Sequence, residues 1–197
     1  MTQLSLFSAD LTPPRLEDLG GLLAAHGQVA GGQDGVRLSI LLADGWRADA
    51  LLRECRVRDV PSRTATPEDP DTAVLLQTER TAVLEPLATQ WTRGAVKAVP
   101  GDISLTPGFL RCWTLAAGHP SDVGFVLGLD PHAPDTHEPL AAACAAAGLA
   151  GSLLGVRGGG PAVRIVGHRR CSRLSEMIGT PPPEAPPGAF GAPGHGV

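Results

Sequence analysis

The chain has no tyrosine, a single lysine at position 97 and aromatic residues at only 4% of its 197 positions. With arginine at nearly every basic position and an excess of alanine, glycine and proline, its composition looks like that encoded by a GC-rich bacterial genome, which speaks to ancestry more than to mechanism. Positive charge is in deficit: 20 acidic against 16 basic side chains give a formal charge of −4. That excludes coating of nucleic acid by bulk electrostatics, so any DNA contact has to come from a local patch. No run approaches the roughly 20 apolar residues needed to cross a bilayer, and the N-terminus has neither a basic start nor an apolar signal core. A cytoplasmic protein without membrane contact is expected. Cys55, Cys112, Cys144 and Cys171 form no Cys-x-x-Cys pair, which argues against a disulfide framework or zinc ribbon and for buried thiols. His132 and His137 lie in a proline-broken stretch that cannot hold them on one helix face, so neither a metal site nor a cofactor is expected.

What is present divides into a head, two similar halves and a tail. Pro13-Pro14 marks a linker after the first residues, so residues 1–14 read as a free peptide and linker. Residues 15–99 and 100–179 read as two repeats. Residues 180–197, rich in Pro and Gly, read as disordered.

In the first repeat the apolar periodicity predicts a helix from about Arg15 to Ala25, a short extended piece at Gln28–Ala30 and a strand over Val36–Leu42. An amphipathic helix over Trp46–Val57 follows, then strands at Ser62–Thr66 and Thr72–Thr78 and a helix over Glu79–Trp91. In the second, Thr106-Pro107 caps a helix to Ala117, a strand runs over Val123–Leu129, and a helix covers Thr136–Ala147. Strands at Ser152–Val156 and Ala162–Val166 and a helix over His168–Ile178, closed by Gly179, complete it. The fold class is α+β, with an αββαββα unit used twice in one monomer of internal pseudo-two-fold symmetry. Independent errors would seldom reproduce the same order of elements twice.

A small-residue helix opens each repeat: Leu19-Gly-Gly-Leu-Leu-Ala-Ala-His-Gly27 and Leu110-Arg-Cys-Trp-Thr-Leu-Ala-Ala-Gly118. Both keep the leading Leu and the closing Gly, and Gly20, Gly21, Ala24, Ala25, Cys112, Ala116 and Ala117 would let two helix backbones approach closely. The chain thereby resembles the LAGLIDADG homing endonucleases, and its second half looks most like the degenerate, nuclease-inactive version found in WhiA regulators. The resemblance implies two central helices flanked by saddles of strands whose concave faces meet a DNA duplex. In active members of that family an acidic residue just before each closing Gly binds the divalent ion that activates water. Here those positions are His26 and Ala117, which removes both hard carboxylates, so no catalytic residue is assigned and the chain is expected not to be an enzyme. Asp34 and Asp122 are the only displaced acids nearby, and they read as hairpin-turn residues.

For duplex contact, strand alternation offers Arg37 with Ser39, and Arg164; the denser runs Arg53, Arg56, Arg58, Arg63 and His168-Arg169-Arg170 with Arg173 could hold phosphates or be helix ends. Arg37, Arg164, Arg169 and Arg170 are the candidate DNA contacts. At the head, Gln3-Leu4-Ser5-Leu6-Phe7 is similar at every position to the bacterial β sliding-clamp-binding pentapeptide. A chance match arises about once in 2,500 chains of this length at average residue frequencies. The resemblance implies that Leu6 and Phe7 fill an apolar pocket on the clamp, Leu4 covers a neighbouring shelf and the Gln3 amide fixes register. Together these readings describe a non-catalytic replication or repair factor docked on the β clamp, its body in weak contact with double-stranded DNA. The alternatives are a WhiA-like transcription regulator, for which no helix-turn-helix follows Gly179, a scaffold for another replisome protein, and a nuclease with relocated acids.

Overall fold

The computed structural model describes residues 8–65 and 73–191. Leu16, Leu19, Leu22 and Leu23 share one side of a 3₁₀ turn (Leu16–Leu19) that runs into α1 (Gly20–Ala24). A five-residue helix is too short to hold itself, and every residue of α1 is buried, so packing stabilises it. The hairpin β1 (Gln28–Gly32) and β2 (Gly35–Leu42) turns at Gln33-Asp34, and Gly35 takes φ +99°, a conformation glycine adopts without strain. α2 (Gly45–Arg56) follows, then β3 (Ser62–Ala65), β4 (Val74–Thr78), a 3₁₀ turn capped by Thr81, and α3 (Glu85–Trp91). The strands pair antiparallel in the order β1-β2-β4-β3. A two-residue hairpin, β5 (Thr92–Arg93) with β6 (Val96–Lys97), leads out of this half.

The second half repeats the plan. α4 (Pro107–Ala117) begins where Thr106 Oγ1 accepts the Phe109 amide, as the Thr-Pro pair predicts. β7 (Gly118–Ser121), β8 (Gly124–Gly128), α5 (His137–Ala146), β9 (Ser152–Leu154), β10 (Ala162–Val166) and α6 (His168–Ile178) follow, and the sheet order β7-β8-β10-β9 duplicates that of the first. The expected α+β class and doubled αββαββα order are what the structure has.

The halves join through α1 and α4. A Cβ on Gly21 would lie 2.5 Å from the Trp113 backbone nitrogen and 2.9 Å from the Cys112 Cβ, so only glycine permits this approach. Around the contact, Trp91 stacks on Phe109 and Phe109 meets Trp113 edge to face, each pair with centroids 6.1 Å apart. All four cysteines are buried and free, as expected.

Several elements depart from the sequence reading. β7 was not expected, because Gly-His-Pro-Ser has no strand formers; it survives as an edge strand, where Pro120 need not donate. α3 starts at Glu85 rather than Glu79, since Arg80 and Thr81 are still extended and Thr81 bridges Val36. Strand β9 stops at Leu154, and Val156–Gly158 forms a 3₁₀ turn. The tail is docked through Gly191: Phe190 is buried with the Arg111 guanidinium over its ring, and Glu184 holds Arg53 through two oxygens. The head is not a free linker from residue 8 onward. Ser8 is buried, the Ala9 amide donates to the Met177 carbonyl and Asp10 accepts from the Thr180 amide and hydroxyl. The turn read at Pro67–Pro70 and residues 192–197 lie outside the described residues.

Candidate nucleic-acid interface

Helices cover one face of each sheet and leave the other open. On β2, Leu38, Ile40 and Leu42 are buried while Arg37, Ser39 and Leu41 point the other way, so alternation puts the last three on the open face. Cross-strand register extends that face: Ser39 lies beside Gln77, and Gln77 beside Arg63. On the second sheet the matching row is His119, Val126, Arg164 and Ser152. Open-face positions of the two sheets thus carry Arg37, Arg63 and Arg164 and no carboxylate, in a chain of net charge −4. None of these three guanidinium groups has a hydrogen bond or ion pair with a described residue, and Nε of Arg37 and of Arg164 is buried without an acceptor. An acceptor brought by a ligand would relieve both. His119 contributes no charge near neutrality: burial and the nearby Arg47 push its pKa below the usual histidine range, against a hydrogen bond with the Ala117 backbone.

At the ends of α1 and α4 the structure places two cations. Lys97 donates to the carbonyls of Leu23 (3.1 Å), Ala25 (3.2 Å) and Gly27 (2.7 Å) and to Asp130 Oδ2 (2.5 Å). Arg47 donates to the carbonyls of Thr114 (3.0 Å), Leu115 (3.0 Å) and Gly118 (2.6 Å) and pairs with Asp44 at 3.0 Å. Each therefore satisfies helix-terminal carbonyls and offsets the negative end of the helix dipole. The acids match too, since Asp44 and Asp130 each stand two residues beyond the end of the second strand of their repeat. Burial alone would raise the Asp130 pKa, but hydrogen bonds from Lys97, the His132 amide and Gln28 hold the carboxyl below its usual range.

The positions that the resemblance assigns to metal-binding acids sit here. His26 is half-buried with Nε2 donating to the Leu41 carbonyl at 2.6 Å, and Ala117 packs its methyl against Gly128. Asp34 and Asp122 are exposed hairpin-turn residues. His137 bonds the Asp130 carbonyl, and among the described residues no three His, Cys, Asp or Glu side chains converge on one point.

The denser basic runs are mostly spent on the fold. Arg58, 3% exposed, bridges Asp18 at 2.8 Å and Glu54 at 2.7 Å, and Glu54 also holds Arg111 at 2.7 Å. Sequence reading missed this buried network, and missed Lys97 and Arg47, because the partners that bury them, Asp18 and Arg111 here and the helix-end carbonyls there, lie far away along the chain. Arg170 donates to the Ala150 and Val166 carbonyls and Arg173 to the Ala147 carbonyl. Arg169 is exposed at the start of α6, a helix packed on α4 and the covered side of β10, so neither Arg169 nor Arg170 joins Arg37 and Arg164. Gln3, Leu4, Ser5, Leu6 and Phe7 lie outside the described residues. No helix among the described residues is long and apolar enough to cross a membrane.

No protein-family model matches the chain, and no curated protein matches it significantly. Solved structures do. A homing endonuclease, I-WcaI, bound to its DNA recognition sequence aligns with 90% of this chain and 83% of its own, at TM-score 0.61 and 15% identity. This chain has a LAGLIDADG-like fold. The N-terminal LAGLIDADG domain of DUF199/WhiA shares it over 84% of this chain and 80% of that one, with TM-score 0.57 and 14% identity. Full-length DUF199/WhiA from Thermatoga maritima gives TM-score 0.60 at 15% identity, and the LAGLIDADG-like chain spans 55% of its length.

Proposed function

We propose that this protein binds double-stranded DNA without cutting it, in the manner of a WhiA-type regulator more than a nuclease. One observation carries the reading: the open sheet faces hold Arg37, Arg63 and Arg164, their guanidinium groups unpaired among the described residues and with no carboxylate at the open strand positions, in an acidic protein. The fold supports it, since one structural neighbour is bound to its DNA recognition sequence. Absence of cleavage follows from the helix ends, where His26 and Ala117 offer no hard anionic ligand and two internal cations, Lys97 and Arg47, already hold the carbonyls.

The test is duplex binding by fluorescence anisotropy with the full chain. Three phosphate contacts give a log-log salt slope of about −3, hence about fortyfold weaker binding at 200 mM than at 50 mM salt. Chelation with EDTA should leave the affinity unchanged, and magnesium or manganese should give no cleavage. The Arg37→Ala, Arg63→Ala, Arg164→Ala triple variant should lose binding. A triple variant that binds as wild type does would refute the reading.

A second reading concerns the head, where the match of Gln3–Phe7 to the clamp-binding pentapeptide supports docking on the β sliding clamp. The motif ends next to Ser8, which is anchored on the body, so a clamp gripping Leu6 and Phe7 would hold the sheets near the DNA it encircles. The measurement is clamp affinity of the full chain beside a Leu6→Ala, Phe7→Ala variant; equal affinities would discard the clamp.

A further inference from the structure

The basic run that opens α6 belongs to neither open face. α6 packs on α4 and on the covered side of β10, so its outer side is turned away from Arg164 and the sheet surface around it. Helical spacing puts His168, Arg169, Ser172, Arg173 and Glu176 on that outer side, opposite the buried Cys171, Leu174 and Ile178. Together with Arg170 and Gly148 they line a groove of about 780 Å³ between this helix and the end of α5.

The positive charge in this groove is held in place and left uncompensated. Arg173 Nε donates to the Ala147 carbonyl at 2.8 Å, and it lies so close over Gly148 that a Cβ there would stand 3.0 Å from that nitrogen. Arg170 is held by the Ala150 and Val166 carbonyls, both at 3.2 Å. A carbonyl orients a guanidinium but leaves its charge and its other N–H groups to a ligand. Among the described residues no carboxylate pairs with Arg169, Arg170 or Arg173, whereas Arg47, Arg53, Arg58 and Arg111 each have one. The first turn of α6 has no acid either, so its cations stand against the positive end of the helix dipole. Carboxylates brought by a ligand would relieve both repulsions.

We infer that this groove docks an acidic segment of a partner protein, with carboxylates on Arg169, Arg170 and Arg173 and a basic side chain beyond them on Glu176. Glu176 decides between ligands. It follows Arg173 by three residues on the same side of the helix and has no ion pair with a described residue. A phosphate backbone carries charge of one sign and would be repelled there, while a peptide of mixed sign pairs along the whole row. The groove and the open face of the second sheet lie on opposite sides, so docking here stands apart from DNA binding; where both occur, the chain joins a duplex to an acidic protein.

The experiment measures, by fluorescence anisotropy with the full chain, the binding of a labelled hexaglutamate peptide ending in lysine, beside duplex binding in the same buffer at about 50 mM salt. The peptide should bind and should weaken steeply as salt rises, and a hexalysine control should not bind. Arg169→Glu changes an exposed side chain that no described residue bonds, so the fold is kept; it should weaken the peptide about tenfold or more and hold duplex affinity within about threefold. Glu176→Gln should erase the preference for the lysine-ended peptide over a glutamine-ended one. No peptide binding, equal binding by Arg169→Glu, capture of hexalysine, or an unchanged preference in Glu176→Gln would overturn the inference. So would a loss of duplex affinity in Arg169→Glu as large as the loss for the peptide, which would make the ligand a phosphate backbone. Failure to hold any duplex while the peptide still binds would overturn the DNA-binding reading alone.

Discussion

The Lys97 ammonium lies 2.5 Å from Asp130 Oδ2 while also donating to three carbonyls at the end of α1, so one side chain closes a helix of the first repeat and ties it to the second. Both side chains are buried, 9% and 1% exposed, which makes the pair costly to break from one side.

Lys97→Met should cost about 3–5 kcal/mol in urea unfolding, because it strands a buried carboxylate and three carbonyls. Removing the second charge as well, in Lys97→Met with Asp130→Asn, should recover part of that loss. Equal stability of the single and double variants would mean that the pair is not coupled.

Asp130 also sets a direction for acid sensitivity. Its carboxyl is held below the usual range in the fold, so the stability it contributes is fully present above its unfolded value of about 4 and is lost as pH falls through the lowered folded value. In Lys97→Met the sign reverses, since a buried unpaired carboxyl prefers its proton. Acidification from pH 7 to pH 5 should therefore narrow the stability gap between the variant and wild type, as read by urea midpoints.

Gly21→Ala should destabilise by about 1–3 kcal/mol or more, because its new methyl would press on the backbone of α4. Gly45→Ala, where the corresponding space is open at the start of α2, should stay within about 0.5 kcal/mol of wild type. Thermal unfolding of the two variants side by side decides whether the central helix contact is as close as described.

Duplex affinity should rise on acidification. His119 is neutral near pH 7 because burial and Arg47 depress its pKa, and protonation below that lowered value adds a positive charge to the open face that carries Arg164, with Val126 of β8 between the two. Binding titrations carried from pH 7.5 down past the usual histidine range should show the rise, and His119→Gln should flatten it.

Thiol reagents should label none of the four cysteines in the native protein and all four in denaturant. Burial pushes the Cys55 thiol up to about 11 and the Cys144 thiol up to about 12, far from the reactive thiolate range.

The order of elements was legible because helical and strand periodicities are local properties: Ala162–Val166 and His168–Ile178 match their strand and helix residue for residue. β7 was not, since Gly-His-Pro-Ser pairs with β8 only because the adjoining strand offers it a partner. Arg37 and Arg164 could be found by alternation along one strand, whereas Arg63 needed knowledge of which strand lay alongside. The helix-closing role of Lys97 and Arg47 had no local signal, for the carbonyls they close lie about 70 residues away and carbonyls leave no trace in residue identity; the neighbouring Asp44 shows only an ordinary i,i+3 pair with Arg47. The docked tail was hidden by composition: its Pro and Gly content masks one anchoring ring at Phe190.

Both helix-closing cations come from the first repeat, Arg47 reaching across to α4 and Lys97 closing its own α1 while pairing with Asp130 of the second. A chain halted near residue 99 would keep Lys97 against the carbonyls of its own α1 but lack the Asp130 carboxylate beside it, and its Arg47 would keep Asp44 but lose the α4 carbonyls it closes. Each half thus lends the other one charge, Asp130 to the first and Arg47 to the second, so the duplicated units are no longer interchangeable.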